Sequence, residues 1–171
     1  MTDQHFFKAN ESLEGDPLLY EECGLDNIYL LNGFSKEVVD GEEYISIADV
    51  DGLHEAIGLY IVLRRKAPSG KEIRFLREEL DKSQAELGEI LGVSSQSVAR
   101  WEKGQSEPPG PAILALRMIY ILSIAPSEER HRIMDEIIVT IESLATADET
   151  SDLARFSYCK DEWSDDRMAV A

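Results

Sequence analysis

The stretch from Gln84 to Gly104 constrains the fold more than any other part of the chain. Leu87, Leu91, Val93, Val98 and Trp101 fall at the spacing that two short helices need when they meet near a right angle and share one small core. Gly88 stands where the second helix is expected to cross closest, and Gly92 at the turn, where a left-handed backbone suits glycine. Ser83-Gln84-Ala85-Glu86 reads as a capping box, and Ser94 as the cap of the next helix. Capping boxes occur in many helical proteins. Five fixed apolar positions, a turn glycine and a small crossing residue together go well beyond a generic helical hairpin.

The flanks read differently. Residues 1–26 are acidic and weakly patterned, a loosely ordered arm. Ile28-Tyr29-Leu30-Leu31 is a short apolar run before Asn32-Gly33, a turn dipeptide. Glu37-Val38-Val39 and Tyr44-Ile45-Ser46-Ile47 are β-prone and separated by Asp40-Gly41, which suits a tight hairpin turn. A small antiparallel sheet of two or three strands is expected. Asp49 or Asp51 can cap a helix carrying Leu53, Ile57, Tyr60 and Ile61, closed by Arg64-Arg65-Lys66. Ala67-Pro68-Ser69 then breaks it. Beyond Pro108-Pro109-Gly110-Pro111, residues 112–124 form a helix apolar on nearly all sides, interrupted by Arg117, and 127–144 an amphipathic one. The expected organisation is a small acidic β-containing domain (1–66), a linker (67–69), a helical domain (70–124), a C-terminal helix suited to dimerisation (125–145) and an acidic tail (146–171). Phe156, Tyr158 and Trp163 cluster in that tail.

The chain has 171 residues and a formal charge of -17, which argues against a nucleic-acid binder when read globally. By segment it is less hostile. Residues 70–104 carry six bases against seven acids, while both flanks are strongly acidic. Two distant cysteines, Cys23 and Cys159, and three scattered histidines show no metal-ligand spacing, so no metal and no other cofactor is expected. No nucleophile–base pair or phosphate loop marks an enzyme, so no catalytic residue is assigned. No apolar run is long enough to span a membrane, and the N-terminus is unlike a secretory signal, so a cytoplasmic location without membrane partners is the expectation.

Ser83, Gln84, Leu87, Gly92, Val93, Ser94, Trp101, Glu102 and Gly104 match the helix-turn-helix signature of the Cro and Xre repressor family, which the segment 70–120 resembles. The resemblance implies an α+β chain in which the small β-containing domain precedes an all-α, lambda-repressor-like domain. It also implies that the third helix of that domain enters the major groove of double-stranded DNA. Ser95, Gln96 and Arg100 then face the bases. Glutamine suits adenine and arginine suits guanine, each through paired hydrogen bonds, and Ser97 adds a shorter contact. Ser94 stands at the start of that helix, Gln84 takes the phosphate-gripping position and Lys103 a phosphate beyond the helix. Arg77 and Glu102 form the family's structural ion pair. Arg64, Arg65 and Lys66 are either an arm for a neighbouring groove or a solvated helix end.

The functional expectation is a repressor acting as a homodimer on a palindromic operator, because one recognition helix reads only a few base pairs. Two other readings fit the same residues. The domain order resembles MqsA-type antitoxins, which hold a toxin protein and repress their own operon. Those carry zinc on two Cys-x-x-Cys pairs, which this chain lacks. Alternatively the domain is a coactivator or scaffold that binds protein.

Overall fold

The computed structural model describes residues 17–125, 139 and 153–165. The expected helix 127–144, Val139 apart, and the first part of the N-terminal arm lie outside the described residues. The architecture is mixed α+β: strands, then helices, then strands again. The chain divides into two compact units, with the division falling after Ala56, inside a helix.

The first unit holds β1 (Leu18–Leu19), β2 (Ile28–Leu30), β3 (Phe34–Val39), β4 (Glu42–Ile47), β5 (Ala154–Cys159) and β6 (Glu162–Asp165). They form two sheets: a four-stranded one in the order β1-β2-β5-β6 and the separate hairpin β3-β4. Alternation builds the larger sheet. Ile28 and Leu30 are buried on β2, Ala154 and Phe156 on β5, and Trp163 on β6, while Arg155 between its buried neighbours is exposed. β2 runs antiparallel to β1 but parallel to β5, with Ile28 opposite Ala154 and Leu30 opposite Phe156.

The expected small antiparallel sheet is the two-stranded hairpin β3-β4. The apolar run at β2 instead joins a second, mixed sheet, and part of the expected acidic tail 146–171 is structural. Its aromatic cluster is the reason. Phe156 is fully buried, and Trp163 stacks tilted against Tyr158 while its Nε1 donates to the Ala48 carbonyl at 2.9 Å. The β5-β6 turn is Lys160-Asp161, both with positive φ, a pair that carries none of the glycine by which such turns are usually recognised.

Gly33 shows why this unit admits little change. Its φ is +74°, and an added Cβ would stand 2.5 Å from the Trp163 ring. Gly33→Ala therefore combines a strained backbone with overpacking and is expected to cost about 1–3 kcal/mol, measurable by urea unfolding followed through tryptophan fluorescence.

Helix α1 (Val50–Arg64) starts where Asp49 Oδ1 accepts the Gly52 amide at 3.1 Å. In the second unit, its C-terminal half is followed by α2 (Gly70–Glu79), α3 (Gln84–Leu91), α4 (Ser95–Glu102) and α5 (Gly110–Ile124). The core here comprises Ile57, Tyr60, Ile61, Ile73, Phe75, Leu76, Leu87, Val98, Trp101, Leu116, Tyr120 and Ile121. Ser69 caps α2 in a full capping box with Glu72, whose other oxygen lies 3.0 Å from Arg65 Nε. Arg65 is buried. It is neither a groove-seeking arm nor a solvated helix end, because its guanidinium closes the joint between α1 and α2.

Arg117 is buried too. It donates to the carbonyls of Ile61, Val62, Arg65 and Lys66, at and beyond the last turn of α1. Carbonyls at the end of a helix generally lack a partner within it, although that of Ile61 also accepts the Arg65 amide at 3.3 Å. The charge that seemed to interrupt an apolar helix is the C-terminal cap of another one.

Candidate nucleic-acid interface

The site is built on α3, the turn after it and α4. Ser83 and Glu86 make the reciprocal capping box read from sequence, with Ser83 Oγ accepting the Glu86 amide and a Glu86 oxygen accepting the Ser83 amide. Hydrogen bonding to the carboxyl from the Ser83 hydroxyl, and then from the Ser83 amide, holds Glu86 below its ordinary pKa. Gly92 ends α3 in the left-handed conformation at φ 68° and ψ 31°, and the chain turns sharply into α4. An added Cβ on Gly88 would lie 2.8 Å from the Val93 carbonyl oxygen and 3.2 Å from the Ser95 amide nitrogen. The close approach is thus made by the backbone entering α4, not by a side chain of that helix. Leu87, Val98 and Trp101 are buried, and Leu91 and Val93 half-buried.

Burying Val98 and Trp101 fixes the rotation of α4. Residues three and four apart share a helix face, so Gln96, Arg100 and Lys103 line one stripe away from the core, and all three are exposed. Ser95 is exposed beside them. Ser94 caps α4: its Oγ accepts the Ser97 amide at 3.1 Å and lies 2.9 Å from the Ser97 hydroxyl. The two serines therefore satisfy one another, and Ser97 is half-buried.

Glu102 ties three helices together at the far end of α4. Arg77 on α2 donates to its carboxylate through Nε at 2.5 Å and Nη2 at 3.3 Å, and Gln84 on α3 donates through Nε2 at 2.7 Å. Arg77 Nη1 also donates to the Lys82 carbonyl. The hydrogen bond to Glu102 is the main cause of a raised Arg77 pKa, and it outweighs the desolvation that would lower it. The link from Gln84 to Glu102 was not read from sequence, where Gln84 was assigned to a phosphate alone. Two polar residues 18 positions apart carry no local signal that they meet.

A family model described as helix-turn-helix matches residues 73–124, the span that holds this geometry. Residues 73–124 thus carry a helix-turn-helix domain. Over 47 residues the chain is 43% identical to repressor protein C2 of Salmonella phage P22, covering 28% of this chain and 22% of the relative. Over 50 residues it is 40% identical to the HTH-type transcriptional regulator DicA of Escherichia coli strain K12, covering 29% and 37%. The similarity to both thus spans well under half of either relative. No solved structure matches the chain. Among the described residues, no helix is long and apolar enough to cross a membrane.

Proposed function

We propose that this protein is a transcriptional regulator, acting as a repressor, whose helix-turn-helix domain is arranged as in lambda repressor and places α4 in the major groove of operator DNA. The observation that carries this reading is the exposed stripe of Gln96, Arg100 and Lys103 on a helix whose opposite side is buried. Gln96 and Arg100 contact base edges, Ser95 adds a short contact, and Lys103 meets a phosphate. Ser94 and Ser97, bonded to each other, orient the first turn, with Ser97 toward the groove. Gln84, steered by Glu102, presents the start of α3 to the backbone.

The protein acts as a homodimer on a palindromic site, with half-sites about 34 Å apart. The half-buried and exposed apolar side of α5, including Ile113, Leu114 and Met118, supports a dimer seam there. Light scattering at working concentration reads this directly, and a monomeric mass refutes it.

The reading is tested by selecting duplexes from a random pool with the purified full chain, then titrating the best one. Gln96→Ala and Arg100→Ala are each expected to weaken binding by about 1–3 kcal/mol and to relax selectivity at one base pair. Lys103→Ala should weaken binding evenly across sequences and lower the salt slope by about one. A failure to select any duplex at low salt overturns the proposal. Selection unchanged in both base-contact variants overturns the residue assignments.

A further inference from the structure

The hairpin β3-β4 is a sheet of two strands with nothing paired to its outer edges among the described residues. Such a hairpin is at best marginally stable in water, and native proteins usually guard an exposed edge with lysine, proline or a bulge. β3 has Lys36, which reaches Glu43 at 3.7 Å. β4 has no such guard beyond its first two residues: Glu42 and Glu43 are followed by Tyr44-Ile45-Ser46-Ile47, without charge, proline or glycine. Tyr44 is 53% and Ile45 44% exposed.

The register settles which backbone groups face out. Val39 pairs with Glu42 across the two-residue turn, and the Ala48 amide donates to the Gly33 carbonyl at 2.8 Å. In an antiparallel ladder with those bonded pairs, Tyr44 and Ser46 bond inward to β3. The amides and carbonyls of Glu43, Ile45 and Ile47 therefore point away from it. This is a half-made ladder, acidic at one end and apolar at the other.

We propose that the free edge of β4 takes an extended segment of a partner protein as a third strand, with basic residues beside Glu42 and Glu43 and apolar residues beside Tyr44, Ile45 and Ile47. Main-chain hydrogen bonds supply affinity in this mode and alternate side chains supply selectivity. Charge chooses the partner. The hairpin carries Glu37, Asp40, Glu42 and Glu43 against the single Lys36, in a chain of formal charge -17. A second copy of the chain would meet like charge there, whereas a basic strand meets its complement. The inference stands apart from the DNA-binding reading, since it uses none of that site.

The probe is a capped, fluorophore-labelled peptide, Val-Thr-Val-Val-Lys-Lys, titrated into the full-length protein. Two controls accompany it: one with proline at both central valines, which cannot complete a ladder, and one with both lysines replaced by glutamate. The expected result is saturable binding at least about tenfold tighter than either control, with slowed amide exchange at Glu43, Ile45 and Ile47. The double variant E42Q/E43Q should lose about tenfold in affinity while keeping the wild-type unfolding midpoint. Absence of saturable binding, equal affinity for the proline peptide, or protection confined to segments outside 42–47 overturns the proposal. So does light scattering that finds two copies joined through this hairpin, because the occupant would then be a second chain.

Discussion

Replacing Glu102 with alanine is expected to lower the free energy of unfolding by about 3–5 kcal/mol, the usual consequence of removing one partner from a buried ion pair. The side chains of Arg77 and Glu102 are only 11% and 4% exposed, so little solvent reaches either to screen the loss. Glu102→Ala removes the acceptor of the Gln84 amide and the main carboxylate partner of the Arg77 guanidinium at once, leaving Arg77 only the Lys82 carbonyl and the exposed Glu78. A typical domain has only about 5–15 kcal/mol in total, so the variant should lose a large share of its stability. Urea denaturation gives the number. Glu102→Gln keeps an acceptor of the same shape and should recover part of the loss. A decrease below about 1 kcal/mol in the alanine variant would mean that the pair behaves as a surface contact, contrary to its burial.

The second large effect is expected at Arg117. Arg117→Met keeps most of the apolar stem and fills similar space, but it leaves the carbonyls of Ile61, Val62, Arg65 and Lys66 without the donors this guanidinium supplies. A buried group left unsatisfied costs about 1–3 kcal/mol. With several affected, a loss of about 2–4 kcal/mol is expected, even after some relaxation. Amide exchange should localise it, accelerating in the last turn of α1 before α3 and α4. Arg117→Lys should rescue only in part, because one ammonium cannot spread across two pairs of carbonyls as a planar fork does. Unchanged exchange in α1 would show that these carbonyls find other donors and that Arg117 is not their cap.

The helix-turn-helix segment was legible because everything that shapes it is local. Gly92 sits one residue past α3, Ser83 and Ser94 stand just before α3 and α4, and Val98 and Trp101 alone set which side of α4 is buried. The hairpin turn Asp40-Gly41 was legible for the same reason. Its partner turn Lys160-Asp161 was not, because two residues with side chains adopt left-handed conformations there that only the surrounding structure can impose. The burial of Arg65 and the capping role of Arg117 were hidden for a related reason. Charge in a sequence suggests solvent, and only the neighbouring carboxylate of Glu72 and the backbone carbonyls at and beyond the end of α1 make burial tolerable.

Read alone, then, the amino-acid order determined the helix-turn-helix, its caps, its turn and the exposed stripe of α4, since these depend on residues within a few positions of each other. Tertiary structure decided that β2 runs beside β5 from the far end of the chain, that Glu102 gathers Arg77 and Gln84, and that Arg117 caps α1. Contacts between distant positions are chosen by which groups remain unsatisfied once local structure has formed, and no pattern of neighbouring residues records that choice.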